Sequence, residues 1–476
     1  MKRADMKLAL PLIALLLAGC AVGPDYRRPQ VEAADRFRDQ QKAEAASFAD
    51  QPWWQVFGDP ALKDLIAQAL EHNYDVRAAA QRVDEYRARA GIDHAGYLPQ
   101  ITPGAGFLRG RNSSFTSGGG VTGQLFNAQA GLSWELDLWG RIRRLNEASL
   151  ANYLASQEAR RGVFLATAAQ VAQAYFELRE LDARLEIAQS TTRAFQETYD
   201  LFNRRFTGGA ASALETARAE AALDAAAASI PDLEQQIQAK ENLLSYLVGR
   251  NPGPIPRGQG LEAQPVPPAI PAGLPSALLE RRPDLRQAEQ QLVAANAQIG
   301  VAQANYFPVL SLTGLYGGLA PHVGDLFGQG KEWELGAGLS GPTFQGLKLK
   351  YQKQVAVAQW EQARTLYQGA VTSAFGEVST LLVAYQKLAE VETQQAKEVA
   401  AYQEAVHLAT LRYTAGLSSY NEVLEAQQQL FPAQNARSQT RLARLTALVN
   451  LYKALGGGWN LQDPADPGAW ARQPQP

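Results

Sequence analysis

The sequence predicts a mixed α and β chain that is internally duplicated, each half carrying two membrane-suited strands and one very long helix. Three observations carry that prediction. Asp75, Arg77, Gln81, Gly91, Tyr97 and Pro99 recur 209 positions later as Asp284, Arg286, Gln290, Gly300, Tyr306 and Pro308, so one unit occurs twice. A segment in each copy alternates apolar and polar side chains with the period of a strand. Residues 141–206 then run without proline, with apolar positions three and four apart.

The first element is a targeting segment. Lys2, Arg3 and Lys7 precede an apolar run from Leu8 to Leu17 that is too short to span a bilayer as a helix but fits a secretory signal. Cys20 is the only cysteine, so it can neither close an intramolecular disulfide nor build a structural metal site. Leu17-Ala18-Gly19-Cys20 is similar to the lipobox of bacterial lipoproteins. That resemblance implies a signal peptide over 1–19, cleavage before Cys20 and a covalent lipid on its sulfur and new amino terminus. Ala21 stands where Asp would signal retention in the inner membrane, which implies the outer membrane. A lipid-anchored segment, 20–72, leads into the first repeat.

Composition removes several classes of function. A net charge of −2 over 476 residues is no nucleic-acid footprint. His72, His94, His322 and His407 are scattered with no metal-ligand spacing, and no nucleophile elbow or phosphate loop is present. No enzyme, cofactor or metal is expected. No second apolar run approaches the length of a membrane helix, so a membrane span would have to be made of strands.

The repeats are read as 73–249 and 283–456, joined by a connector over 250–282 with eight prolines between 251 and 275, which cannot be helical. Residues 457–476 form a tail. Each repeat opens with a helix, 73–97 in the first. Phe126, Ala128, Ala130, Leu132, Trp134, Leu136 and Leu138 then fall on one strand face, with Asn127, Gln129, Gly131, Ser133, Glu135 and Asp137 on the other. Trp333, Leu335, Ala337 and Leu339 keep this phase in the copy. Phe126, Leu132, Trp134, Trp333, Leu335 and Leu339 are therefore the expected lipid-facing residues.

The long stretch, 141–206, would be about 100 Å as one helix, longer than a globular core. Leu185, Ala188, Thr192, Phe195, Tyr199, Phe202 and Phe206 mark a coiled-coil seam, with Val399, Tyr402, Val406, Ala409 and Tyr413 in the copy. Gly208 and Gly209, and Gly416 in the copy, mark hinge turns before a shorter helix, 212–248 in the first repeat. The shorter helices, stacked end to end, match the long one. Four open-edged strands cannot close a barrel, so several copies must share one.

These motifs resemble the outer-membrane efflux proteins, the TolC-like channels, in their lipoprotein branch. The resemblance rests on GPDYRRP (23–29), WWQVFGDPALKDLIAQAL (53–70), WELDLWGRI (134–142), RRPDLRQAE (281–289), RYTAGLSSYNEVLEAQ (412–427) and LYKALGGGW (451–459). It implies a homotrimer with a shared twelve-stranded barrel, a periplasmic α-barrel of long coiled-coil helices and an equatorial belt. It also implies passive efflux of small molecules such as drugs, with a periplasmic adaptor and an inner-membrane pump, proton-driven in this branch, as partners. Matched residue by residue, Glu425 takes the place of an Asp in the family's periplasmic constriction, and Asn421 one commonly apolar. Glu422 is the next carboxylate, and Arg218 and Tyr413 are candidates to hold the closed state. A lipid-anchored periplasmic coiled-coil adaptor is the alternative, but it leaves the strand pairs unexplained.

Overall fold

Alternation and helical periodicity each find their element in the computed structural model, which describes residues 21–31, 35–38, 47–51, 56, 58–111, 113–115, 119–267 and 270–457. Cys20, its signal segment and almost all of the tail lie outside these residues. The first repeat contains α1 (Pro60–His72), α2 (Tyr74–His94), β1 (Gln100–Arg111), β2 (Thr122–Leu136), α3 (Arg141–Thr207) and α4 (Ala213–Leu247). The second contains α5 (Pro283–Ala304), β3 (Val309–Ala320), β4 (Lys331–Ser340), α6 (Lys348–Thr414) and α7 (Asn421–Ala454). Both long helices, α3 and α6, have 67 residues. An inherited length is what a duplicated unit requires.

The chain forms two compact units, and each draws on both repeats. One takes residues up to Gln30, Arg82–Ser156 and Gln287–Gln368, and holds the sheet. Its strand order is β1-β2-β3-β4, antiparallel throughout. Strand β2 stops at Leu136, two residues short of the expected Leu138. The physical reason is Asp137, which leaves the strand face and accepts the backbone N–H groups of Ile142 and Arg143, both at 2.9 Å. That carboxylate satisfies donors in the first turn of α3 that have no partner within the helix.

The second unit takes Val31–Gln81, Gln157–Arg286 and the chain from Gly369 onward. Helix α1 went unread in the sequence, where residues 20–72 are treated as one anchored segment. Asp59 starts it, accepting the N–H of Ala61 at 3.0 Å. The same carboxylate is completely buried. It accepts the Tyr175 hydroxyl at 2.8 Å, the Gln259 N–H at 2.9 Å and the Gln264 amide at 2.7 Å. Satisfied on all sides, it fastens the proline-rich connector to α3.

The end-to-end joints of the shorter helices are visible twice. Asn73 donates its side-chain amide to the carbonyl of Leu247, the last residue of α4, at 2.9 Å. At the equivalent joint Arg282 donates to the carbonyl of Ala454, the last residue of α7, at 3.0 Å. Different side chains satisfy the same orphan C=O in the two copies, so the duplication preserved the geometry rather than the residue.

Candidate functional site: the sheet and the helix tips

Register decides which side chains of the sheet share a face. Leu132 lies opposite Ile101 on β1 and Gly314 on β3, and Gly314 lies opposite Leu335 on β4. Phe126 pairs with Phe107, their ring centres 4.7 Å apart, and Tyr316 pairs with Trp333. Phe126, Leu132, Trp134, Trp333, Leu335 and Leu339 therefore share one face. Trp333, Leu335 and Leu339 are 69%, 79% and 68% exposed, far more than a soluble sheet would leave to water. Trp134 is half-buried, and its indole N–H donates to the Tyr97 carbonyl at 2.9 Å.

The opposite face carries Gly131, Ser133, Thr313, Glu334, Gly336 and Gly338, as the alternation requires. It is not polar throughout. Toward the hairpin ends Leu108 lies opposite Leu125, with Leu315 and Leu319 on the same face of β3. The polar series read from Asn127 to Glu135 therefore covers only part of this face, which turns apolar near the hairpins. The alternating run read from Phe126 onward covers only the lower part of that face; the leucines lie just before it in β2, at Leu125, and on β1 and β3.

In the same unit, the segment that follows Cys20 is seated against α3 and α5. The Val22 N–H donates to the Trp139 carbonyl at 3.0 Å, and Arg144 donates to Asp25 at 2.8 Å. Glu289 receives Arg28 through two contacts, of 2.5 and 2.6 Å, and the Tyr26 hydroxyl at 3.1 Å. A Cβ at Gly23 would stand 2.5 Å from the Cα of Gly300, so that backbone crossing admits no side chain. The GPDYRRP motif thus places the residues beside Cys20 next to the start of α3.

The helix tips belong to the other unit. Gly209 and Gly416 end α3 and α6 with φ of +75° and +73°. Each is followed by the N–H of the next residue reaching back, Ala210 to Arg205 at 2.7 Å and Leu417 to Arg412 at 2.9 Å. These are matched left-handed helix ends. Gly208 also lies in the turn after α3, but without a left-handed φ: its N–H reaches back to the Arg204 carbonyl and Ala415 takes its place in the copy, so Gly209 is the position that needs glycine.

Buried Phe195, Phe202, Ala219, Ala222, Tyr420 and Val423 form the core of the tip, with Tyr413 packed against it. Phe206, expected in this seam, is 46% exposed in the last turn of α3. Tyr413 meets Tyr420 edge-on at 5.0 Å, and Tyr420 meets Phe202 at 4.8 Å. The Tyr420 hydroxyl is bonded to Thr198, and burial pushes its pKa up. Arg205 donates to the Tyr413 hydroxyl and lies 5.2 Å from its ring centre, tying α3 to α6. Arg205 was missed in the sequence, where it is one cation among several at a helix end.

Of the expected gate residues, Asn421, Glu422 and Glu425 stand exposed in the first turns of α7. Glu422 is 3.4 Å from Arg412, whereas Glu425 forms no ion pair among the described residues. Arg218 is exposed on α4, and the cation at Tyr413 is Arg205.

Comparison with known proteins agrees with this architecture. A probable efflux pump outer membrane protein, TtgC of Pseudomonas putida, is 38% identical over 464 residues, 95% of each chain. The cation efflux system protein CusC of Escherichia coli is 32% identical over 452 residues, covering 94% of this chain and 97% of that protein. The open-state crystal structure of the MtrE outer membrane channel of Neisseria gonorrhoeae superposes with a TM-score of 0.84 at 33% identity, covering 92% of this chain and 98% of that one. The outer membrane efflux protein family matches twice, at 65–250 and 274–457, once per repeat, and the chain belongs to that family.

Proposed function

We propose that the chain is the outer-membrane channel of a tripartite efflux system, passively conducting small molecules such as drugs to the exterior. One observation carries this: a four-stranded sheet with one exposed apolar face and two unpaired edges, β1 and β4. An open edge in lipid leaves backbone groups without partners, which a closed ring removes. Three copies, each pairing β4 with the next β1, would share a ring of twelve strands, wide enough for a lumen. The polar residues of the opposite face would line it. A periplasmic adaptor and an inner-membrane, proton-driven pump would supply cargo and energy, since a passive conduit supplies neither. The alternative, a lipid-anchored adaptor, gives the sheet nothing to do.

Planar-bilayer recording on the purified protein tests the pore. Stepwise conductance from a detergent-solubilised trimer is expected; a monomer soluble without detergent and electrically silent would overturn it. Cys20 is assigned the covalent lipid. Cys20→Ser should abolish labelling by radiolabelled palmitate while trimers still form, because the strands supply most of the membrane insertion. Labelling that survives would remove the anchor from Cys20.

A further inference from the structure

The apolar sheet face ends in cations. Successive residues of β1 on that face are Ala105, Phe107, Arg109 and Arg111, with Gln124 and Thr122 opposite the two arginines. Lys331 opens β4 at its hairpin end on the same face as Trp333, opposite Gly318, its ammonium 5.4 Å from the Tyr316 ring centre. All three cations are exposed. Residues 100–133 contain no Asp or Glu, and Glu332 and Glu334 of β4 fall on the opposite face. Among the described residues Arg109, Arg111 and Lys331 form no ion pair with a carboxylate.

An unpaired arginine beside an apolar band is costly in hydrocarbon and tolerated at its edge, so the step from Phe107 to Arg109 marks where the band ends. Cations there need anions from outside the chain. Guanidinium groups fit phosphate oxygens in pairs, and the neighbouring apolar residues fit acyl chains. We infer that the hairpin-end rim of this face binds a phosphorylated membrane lipid, with Arg109 and Arg111 on its phosphate. Lys331 lies at the opposite edge of the sheet; ring closure would bring it, from the next copy, to the same seam. The inference rests on the pore reading given above.

Native mass spectrometry of the detergent-purified protein tests it, with lipid A carrying its phosphates, dephosphorylated lipid A and inorganic pyrophosphate as probes. The parent protein should retain the phosphorylated lipid over the dephosphorylated one. Retention should fall about fivefold for each cation removed in Arg109→Gln, Arg111→Gln and Lys331→Gln. Arg109→Lys with Arg111→Lys, which keeps the charge but loses the paired guanidinium contacts, should retain more than the glutamine variants and less than the parent. Equal retention of both lipids, or full retention by the glutamine variants, overturns the site; pyrophosphate binding as tightly as the lipid overturns a lipid ligand. Trimer mass, read from the same spectra, reports separately on the pore.

Discussion

Glu215 shows how one carboxylate shapes a helix tip. It accepts the Ser212 N–H at 2.9 Å, while the Ser212 hydroxyl accepts the Glu215 N–H at 3.3 Å, a capping box at the start of α4. The Ser212 N–H, and then its hydroxyl, hold the Glu215 carboxyl below its ordinary value of 4.5. A carboxylate depressed in the folded state adds stability above its unfolded pKa, and that contribution is lost as pH falls through the folded one. Acidification through and below the ordinary carboxylate value of 4.5 should therefore weaken the first turn of α4. Hydrogen-exchange protection of residues 213–216 should drop in that window, and Glu215→Ala should flatten the pH dependence while lowering protection at neutral pH. A parent profile already flat in acid would contradict the cap.

Among the elements, the sheet gives the sharpest test. Leu132 sits mid-strand between Ile101 and Gly314, within the apolar face, and its neighbour Ser133 points to the other. If that face meets lipid, Leu132→Arg should cost about 2–4 kcal/mol and Ser133→Arg far less. Thermal dissociation of the trimer in lipid measures both. Equal tolerance would overturn this assignment of faces. The long helices are governed differently. Their seam is buried at Ala188, Phe195, Phe202, Val399 and Ala409, while Phe206 in the last turn of α3 is left to solvent.

At the scale of the molecule, assembly would turn single side chains into rings. Glu425 is exposed and unpaired among the described residues, whereas Glu422 is partly neutralised by Arg412 at 3.4 Å. Three copies of Glu425 near one axis would attract cations and repel one another as the opening narrows. The Arg205–Tyr413 and Thr198–Tyr420 links are contacts that hold the tip against that repulsion. Glu425→Ala should weaken cation preference and relieve block by divalent cations in single-channel recordings. Unchanged selectivity would pass the constriction to Glu422.

Duplication, strand phase, helix length and left-handed turns were all legible in the sequence, because each is a local property: a period, a missing proline, a glycine. Alternation from Phe126 to Leu136 already separated the two sheet faces, and the match of Tyr413 to the seam already marked the tip. Partners were not legible. Thr198 and Tyr420 are 222 residues apart, Arg205 and Tyr413 208 apart, and Asp59 gathers donors from α3 and the connector. Periodicity records whether a side chain meets solvent or another element, but not which element. Only the tertiary structure brings distant segments together, and it alone decided that Asp137 leaves its strand, that Gly209 rather than Gly208 takes the left-handed turn and that Arg205 meets Tyr413 at the tip.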